Sequence, residues 1–123
     1  NDCPEKVYNM AKKFPKVNFI MAHMGLGSDN VIATELIAIL PNLFGDTAWV
    51  PMESTINFIN KIGSHKLFFG TDLPIDGIDT YHHNPRGERS LYQDYFEKLP
   101  DLIAQEDYEN LMWKNALNFF NLD

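Results

Sequence analysis

Three short strand-like runs, separated by segments of helical periodicity, constrain the fold of this chain more than any other feature. They cover residues 17–23, 42–50 and 66–72, and turn-forming residues bound each of them. Largely apolar runs of this length favour strands that other elements cover on both faces. Strands that alternate with helices predict an α/β fold, built from βα units around a parallel sheet.

The segments between and after these runs carry the signals of helix starts and stops. Pro4 suits a first helical turn, and Pro15 ends the apolar spacing that follows it. The second helix is expected to begin at Ser28 or Asp29, and Ser54 is the predicted cap of the third. The predicted helices cover about residues 4–14, 29–40, 54–62, 88–98 and 105–120.

Composition and charge indicate one globular domain, over residues 1–123, and argue against some classes of binding partner. Hydrophobic residues make up 45% of the chain, charged residues 22%, and the formal net charge is −7. No basic cluster exceeds Lys12 and Lys13, so we expect no nucleic-acid partner. No apolar stretch is long enough to cross a membrane. The single cysteine, Cys3, excludes an internal disulfide, and we expect a cytoplasmic protein.

Polar residues end two of the predicted strands, His23 the first and Asp72 the third. Parallel α/β folds gather their functional groups at this end of the sheet. A carboxylate at the mouth of a buried strand needs a cation or several hydrogen-bond donors to stay charged. A divalent metal meets that need, and its bound water beside a carboxylate makes a nucleophile and base. Taken singly, Asp72 also fits a turn cap and His23 a core histidine, but the pair at matching ends favours a site.

Other polar and aromatic residues have structural interpretations. Asp46 lies inside the predicted second strand, which suggests a buried, paired carboxylate. His82, His83 and Arg86 lie on a long loop over residues 73–87 that could overhang a barrel mouth and contact an anionic substrate, but an exposed polar loop is the favoured interpretation. Six aromatic residues follow helix spacing and are predicted to pack in the core: Tyr92, Tyr95, Phe96, Trp113, Phe119 and Phe120.

A glycine pair offers a competing hypothesis of dinucleotide binding. Gly25 and Gly27 lie between a predicted strand and a predicted helix, and Asp46 lies near the position of a ribose-binding acid. The third glycine position holds Asn30, however, and Asp46 does not end its predicted strand. The two glycines alone are a weak signal for a nucleotide site.

Four segments in a fixed order resemble the C-terminal part of the amidohydrolase-related family: FPKVNFIMAHMG, PNLFGDTAW, KLFFGTDLP and WKNALNFFNL. The likeness runs from about Asp2 to Leu122. The family includes metal-dependent hydrolases, lactonases and non-oxidative decarboxylases of the aminocarboxymuconate-semialdehyde type. The resemblance implies a TIM (β/α)8 barrel, of which this chain supplies strands six to eight and their flanking helices.

The resemblance also implies roles for three residues. His23, in AHMG, is similar to the sixth-strand histidine that acts as a metal ligand or as a proton-transferring, substrate-polarising group. Asp72, in GTDLP, is similar to the eighth-strand aspartate that binds the metal and takes a proton from its water. Asn115 is similar to a recurrent structural asparagine. Zinc is the metal that the family implies first, with manganese as the second choice.

The chain departs from the family pattern in its histidines. The family's first-strand His-x-His pair and fifth-strand histidine do not occur here, where the histidines are His23, His65, His82 and His83. Zinc sites take three or four protein ligands, and His23 with Asp72 supplies two. We therefore expect this polypeptide to be inactive alone, and to need the missing N-terminal barrel half or further copies of itself as a partner.

Three function hypotheses follow. The first is a hydrolase, in which metal-activated water attacks the carbonyl of a small-molecule amide or lactone-like substrate. The second, with the same architecture, is a metal-dependent non-oxidative decarboxylase. The third is a non-catalytic α/β module that forms oligomers through its bare sheet edges, since three strands do not close a barrel.

Overall fold

The computed structural model describes residues 4–24, 30–70 and 91–120. Their elements, in chain order, are α1 (Pro4–Lys13), β1 (Phe19–Met21), a short 3-10 turn (Ala22–Met24), α2 (Val31–Ile39), β2 (Leu43–Asp46), α3 (Met52–Ile62), β3 (Leu67–Phe68), α4 (Leu91–Glu97), α5 (Leu99–Leu102), α6 (Gln105–Glu109), a π-helical segment (Asn110–Lys114) and α7 (Asn115–Phe119). Within these ranges, none of the helices is both long enough and apolar enough to cross a membrane.

The three strands form one parallel sheet in the order β1-β2-β3. Phe19 is aligned with Leu43, and Gly45 with both Met21 and Leu67. The prediction of an α/β fold with a parallel sheet is therefore confirmed. Strand β2 lies in the middle, so its backbone is paired on both sides.

The two faces of the sheet differ in what covers them. Met21, Leu43 and Leu67 belong to the buried core, together with residues of the helices. Gly45 lets α2 approach closely, because a Cβ at this position would lie 3.0 Å from Cδ1 of Ile37. This face of the sheet therefore packs against the helical layer.

Phenylalanine rings cover part of the opposite face. Phe44 and Phe68 contact Phe119 of α7 edge-on, with ring centroids 5.1 and 5.2 Å apart. Ile20, which alternates with the core residues of β1, keeps 36% of its surface exposed. The last helix thus closes one part of this face and leaves the β1 side open.

Several predicted boundaries are wrong. Strand β1 ends at Met21, and His23 lies in the turn after it. Asp46 is the last residue of β2, because the chain turns at Trp49, whose φ is 63°. Helix α3 begins at Met52, so Ser54 lies in its first turn and does not cap it. The last helix keeps its extent but contains the π-helical segment.

The aromatic packing prediction holds for some residues and fails for others. Tyr95 is fully buried, and Phe119 packs on the sheet. Phe96, Trp113 and Phe120 remain 43%, 50% and 57% exposed, so helix spacing alone overestimated their burial. The side chain of Tyr92 lies outside the described residues.

Buried amides connect helices to the sheet. The two N–H groups of Asn42 Nδ2 are shared among three carbonyl oxygens, those of Ala11 at 2.9 Å, Phe14 at 3.1 Å and Val17 at 2.8 Å. These carbonyls lie at the end of α1 and along the connection to β1. Asn115 similarly donates to the Ser64 and Leu67 carbonyls, at 2.6 and 2.8 Å, which gives it a structural role.

We expect Asn42→Ala to lower the free energy of unfolding by roughly 2–3 kcal/mol, since three carbonyls lose a donor in a buried position. Urea denaturation followed by circular dichroism measures the change. Asn57→Ala removes the same group from the exposed surface of α3 and should stay within about 0.5 kcal/mol of the original value. Equal effects of the two substitutions would show that Asn42 does not hold α1.

Candidate functional site

The candidate site lies at the carboxyl ends of the strands. After β1 the chain turns sharply, and two successive residues, His23 and Met24, have φ values of 59° and 46°. L-residues without a special reason avoid this left-handed region. The conformation therefore needs compensating interactions from the surrounding structure.

Asp46, at the end of β2, supplies one such interaction. Its Oδ1 accepts a hydrogen bond from the backbone N–H of His23 at 2.8 Å and from that of Ala48 at 3.2 Å. A carboxylate that accepts backbone N–H groups makes stronger hydrogen bonds than a neutral acceptor does. The expectation that Asp46 is paired is confirmed, although the side chain is only half-buried.

The imidazole of His23 contacts the same connection. Its Nδ1 lies 3.3 Å from the carbonyl oxygen of Ala48. A carbonyl oxygen only accepts hydrogen bonds, so Nδ1 carries the proton in this contact. The neutral ring then has its lone pair on Nε2, the nitrogen suited to a metal or to a substrate proton.

Thr47 connects the end of β2 to β3 and the segment that follows it. Its backbone N–H donates to the Phe68 carbonyl at 3.0 Å, and its fully buried side-chain Oγ1 accepts from the N–H of Gly70 at 3.1 Å. Gly70 lies two residues before Asp72 in the chain. Asp46, the last residue of β2, and Thr47, the next residue, thus hold the segments that lead to the two predicted site residues.

A buried hydroxyl pair supports the connection after β2. The Tyr95 hydroxyl donates to the Val50 carbonyl at 2.8 Å and accepts from Oγ1 of Thr55 at 2.6 Å. The hydroxyl of Tyr108 in turn donates to the Tyr95 carbonyl at 3.1 Å. Tyr95 therefore packs in the core, as its spacing predicted, and its hydroxyl also holds the connection after β2 by hydrogen bonds.

Lys66 marks the opposite end of the sheet. Its Nζ donates to the carbonyls of Ile37 and Leu40 at 2.6 Å each, which closes the C-terminal end of α2. Burial lowers the pKa of this ammonium from its usual value. Lys66 precedes β3, so it takes no part in the site at the carboxyl ends.

Of the predicted site residues, the structure describes His23 and places it beside Asp46. Asp72 lies outside the described residues, as do Gly25 and Gly27 of the competing glycine pair. The loop residues His82, His83 and Arg86 also lie outside the described residues. Among residues 4–24, 30–70 and 91–120, no group of three or more His, Cys, Asp or Glu side chains could hold a metal ion.

Sequence analysis missed the roles of Thr47 and Ala48. Thr47 acts through its hydroxyl, and Ala48 acts through its backbone. A detectable signal was the Asp-Thr pair that follows Phe44 and Gly45, because short polar side chains at a strand end can bond to nearby backbone groups. The contact of Ala48 with the imidazole carries no sequence signal, since any residue supplies a backbone carbonyl.

Comparison with known proteins gives a family match over nearly the whole chain. The model of a family described as amidohydrolase matches residues 2–122. No curated protein matches the chain.

Solved structures with a similar fold include amidohydrolase 2 from Bifidobacterium longum subsp. infantis, with a TM-score of 0.67, 20% identity and coverage of 100% of this chain. A 2,6-dihydroxybenzoate decarboxylase from Rhizobium has a TM-score of 0.63 at 21% identity over 93% of this chain. A structure of 2,6-dihydroxybenzoate decarboxylase complexed with 2,6-dihydroxybenzoate has a TM-score of 0.62 at 20% identity over 92%. This chain covers 48%, 38% and 37% of those three chains, so it spans about half of their length or less.

Thr47→Val should lower the free energy of unfolding by about 1–2 kcal/mol, because the Gly70 N–H loses its acceptor beside an otherwise isosteric side chain. Chemical denaturation of both proteins measures the difference. Thr34→Val is the matched control, since Thr34 is also buried but its hydroxyl only reinforces a local contact with the Asn30 carbonyl. A loss for Thr34→Val as large as that for Thr47→Val would contradict a special role for Thr47.

Proposed function

Because the chain belongs to the amidohydrolase family, we propose that it is the C-terminal part of a metal-dependent hydrolase with a (β/α)8 barrel. Residues 1–123 would supply strands six to eight, which agrees with three adjacent parallel strands in chain order. The observation that carries the proposal is the family match, together with the position of His23 at the carboxyl end of β1. Barrel enzymes place their catalytic residues at this end of the strands.

His23 and Asp72 are the residues to which we assign the chemistry. His23 presents an imidazole whose Nδ1 contacts the Ala48 carbonyl, so its lone pair on Nε2 would bind the metal or accept a substrate proton. Asp72 follows β3 by four residues and would share the metal and take the proton from the attacking water. A small-molecule substrate with an amide or lactone-like carbonyl fits this pair.

The proposed metal is zinc, with manganese as the alternative. Such a metal would polarise the carbonyl and lower the pKa of bound water. Among the described residues, His23 is the imidazole at this end of the sheet and no cluster of three ligands occurs, so these residues alone do not complete a site. We propose that the remaining ligands come from outside it.

The source of those ligands would be the missing N-terminal barrel half or a second copy of the chain. Within the described residues, β1 and β3 each pair with β2 on one side only, and Ile20 leaves one sheet face partly exposed. Exposed strand edges favour pairing with further strands. The coverage of about half or less of the similar structures supports the barrel half as the partner.

A decarboxylase is the second candidate. Two of the similar structures are of 2,6-dihydroxybenzoate decarboxylase, which makes this reaction class a specific alternative on the same fold. In that case His23 or Asp72 would deliver a proton to the carbon that loses CO2. Carbon dioxide release, in place of a carboxylic acid or amine product, distinguishes the two reactions. A third candidate, a non-catalytic oligomerising module, predicts neither product.

In the longer protein that contains the missing half, we expect Asp72→Asn to reduce turnover by orders of magnitude while the fold persists. An amide neither takes the proton from water nor binds the metal as a carboxylate does. Steady-state kinetics and circular dichroism measure the two quantities. Asp101→Asn, at an exposed position of α5, is the matched control and should retain turnover. Turnover of Asp72→Asn at the original rate would remove this carboxylate from the mechanism.

For the 123-residue chain alone, we expect less than one zinc ion per chain after dialysis. His23 and Asp72 provide two ligands, fewer than the three or four of protein zinc sites. Elemental analysis by mass spectrometry measures the stoichiometry. One tightly held zinc per monomeric chain would show that the ligand set is larger than proposed.

A further inference from the structure

We propose that Asp46 is a positioning residue that fixes the orientation and tautomer of the His23 ring. The importance of this role for catalysis rests on the proposed function, but the role itself is a property of this chain. Asp46 ends the middle strand, and its carboxylate accepts hydrogen bonds from two backbone N–H groups. It acts through the two backbone segments that hold the ring.

Three hydrogen bonds connect His23, Asp46 and Ala48 and hold the imidazole ring. The Asp46 carboxylate accepts from the backbone N–H of His23 at 2.8 Å, and the same oxygen accepts from the N–H of Ala48 at 3.2 Å. The Ala48 carbonyl then accepts from Nδ1 of the ring at 3.3 Å. One carboxylate oxygen therefore fixes both the backbone that carries the imidazole and the residue whose carbonyl accepts the hydrogen bond from Nδ1.

The conformation of the turn shows why an acceptor is needed. His23 and Met24 both have positive φ, which L-residues adopt only when the surroundings stabilise it. The N–H of His23 would otherwise lose its acceptor in a half-buried position. Loss of Asp46 should therefore relax the turn and move the ring away from Ala48. Either ring nitrogen could then carry the proton.

The proton position on the ring provides a direct test. In the 123-residue chain, ¹⁵N NMR at alkaline pH, where histidine rings are neutral, distinguishes a protonated Nδ1 from a protonated Nε2. We expect His23 of the original chain to carry its proton on Nδ1. In Asp46→Ala, we expect the His23 signals to shift to a mixture of tautomers, whereas those of exposed His65 stay unchanged.

Two further variants separate positioning from general stability. Asp46→Asn keeps an oxygen that accepts both N–H groups. This conservative variant should therefore retain the Nδ1 tautomer that Asp46→Ala loses. Its neutral acceptor is weaker, and exchange of the His23 amide hydrogen should quicken roughly fivefold. Asp107→Ala is the matched control, because it removes another carboxylate that accepts one hydrogen bond, from Ser64 at 2.7 Å. It should leave the His23 ring signals unchanged.

Each outcome decides the proposal. Unchanged ring signals in a folded Asp46→Ala chain overturn it, as do equal ring shifts in Asp46→Ala and Asp107→Ala. If Asp46→Ala does not fold, unchanged His23 amide exchange in Asp46→Asn overturns it, and faster exchange with a retained tautomer supports it. None of these measurements needs metal or substrate. Their outcome therefore does not depend on whether the proposed hydrolase function is correct.

Discussion

The site region depends on the pairing of β2 with a neighbour on each side. A middle strand has its backbone groups committed to both neighbours, so the end of β2 is fixed relative to β1 and to β3. The two residues at that end extend the pairing with side-chain hydrogen bonds. Asp46 reaches the turn after β1, and Thr47 reaches Gly70 after β3. The strand without a predicted catalytic residue is therefore the one that aligns the others.

The sequence predicted those parts of the fold that follow from the order of apolar and polar residues. Alternating helix-like and strand-like segments were sufficient for an α/β fold with a parallel sheet, and the resemblance identified the family. Helix α1 and the extent of the last helical region also agree with their apolar spacing. These features depend on local periodicity, which a single sequence records.

Boundaries and turn geometry were harder to predict, and they decide the site. The run through His23 looks like continuous strand, but φ is positive there, and the His23 N–H donates to an acceptor 23 residues away, Asp46. The interpretation of Asp46 as a residue inside its strand was wrong for a related reason. The turn at Trp49 that follows β2 contains no glycine, so the sequence does not mark it. Thr47 and Ala48 act through contacts that only the folded chain brings together. The predicted role of Asp72 stays a prediction, because that residue lies outside the described ranges.

The π-helical segment has a consequence for how this protein tolerates changes in length near its end. The Phe69 N–H, just past β3, donates to the carbonyl of Leu111 at 3.1 Å, so the wide turn of that segment is docked directly on a strand. A π-helical turn holds one residue more than a regular helix would, so deleting a residue there leaves a regular turn with the following helix in the same phase. Deleting a residue from the regular turn of α7, between Asn115 and Phe119, would instead rotate everything after the deletion by about 100°. Asn115 would keep its bonds to the Ser64 and Leu67 carbonyls, but Phe119 would turn away from the sheet. The irregular turn can therefore lose a residue that the regular turn after it cannot.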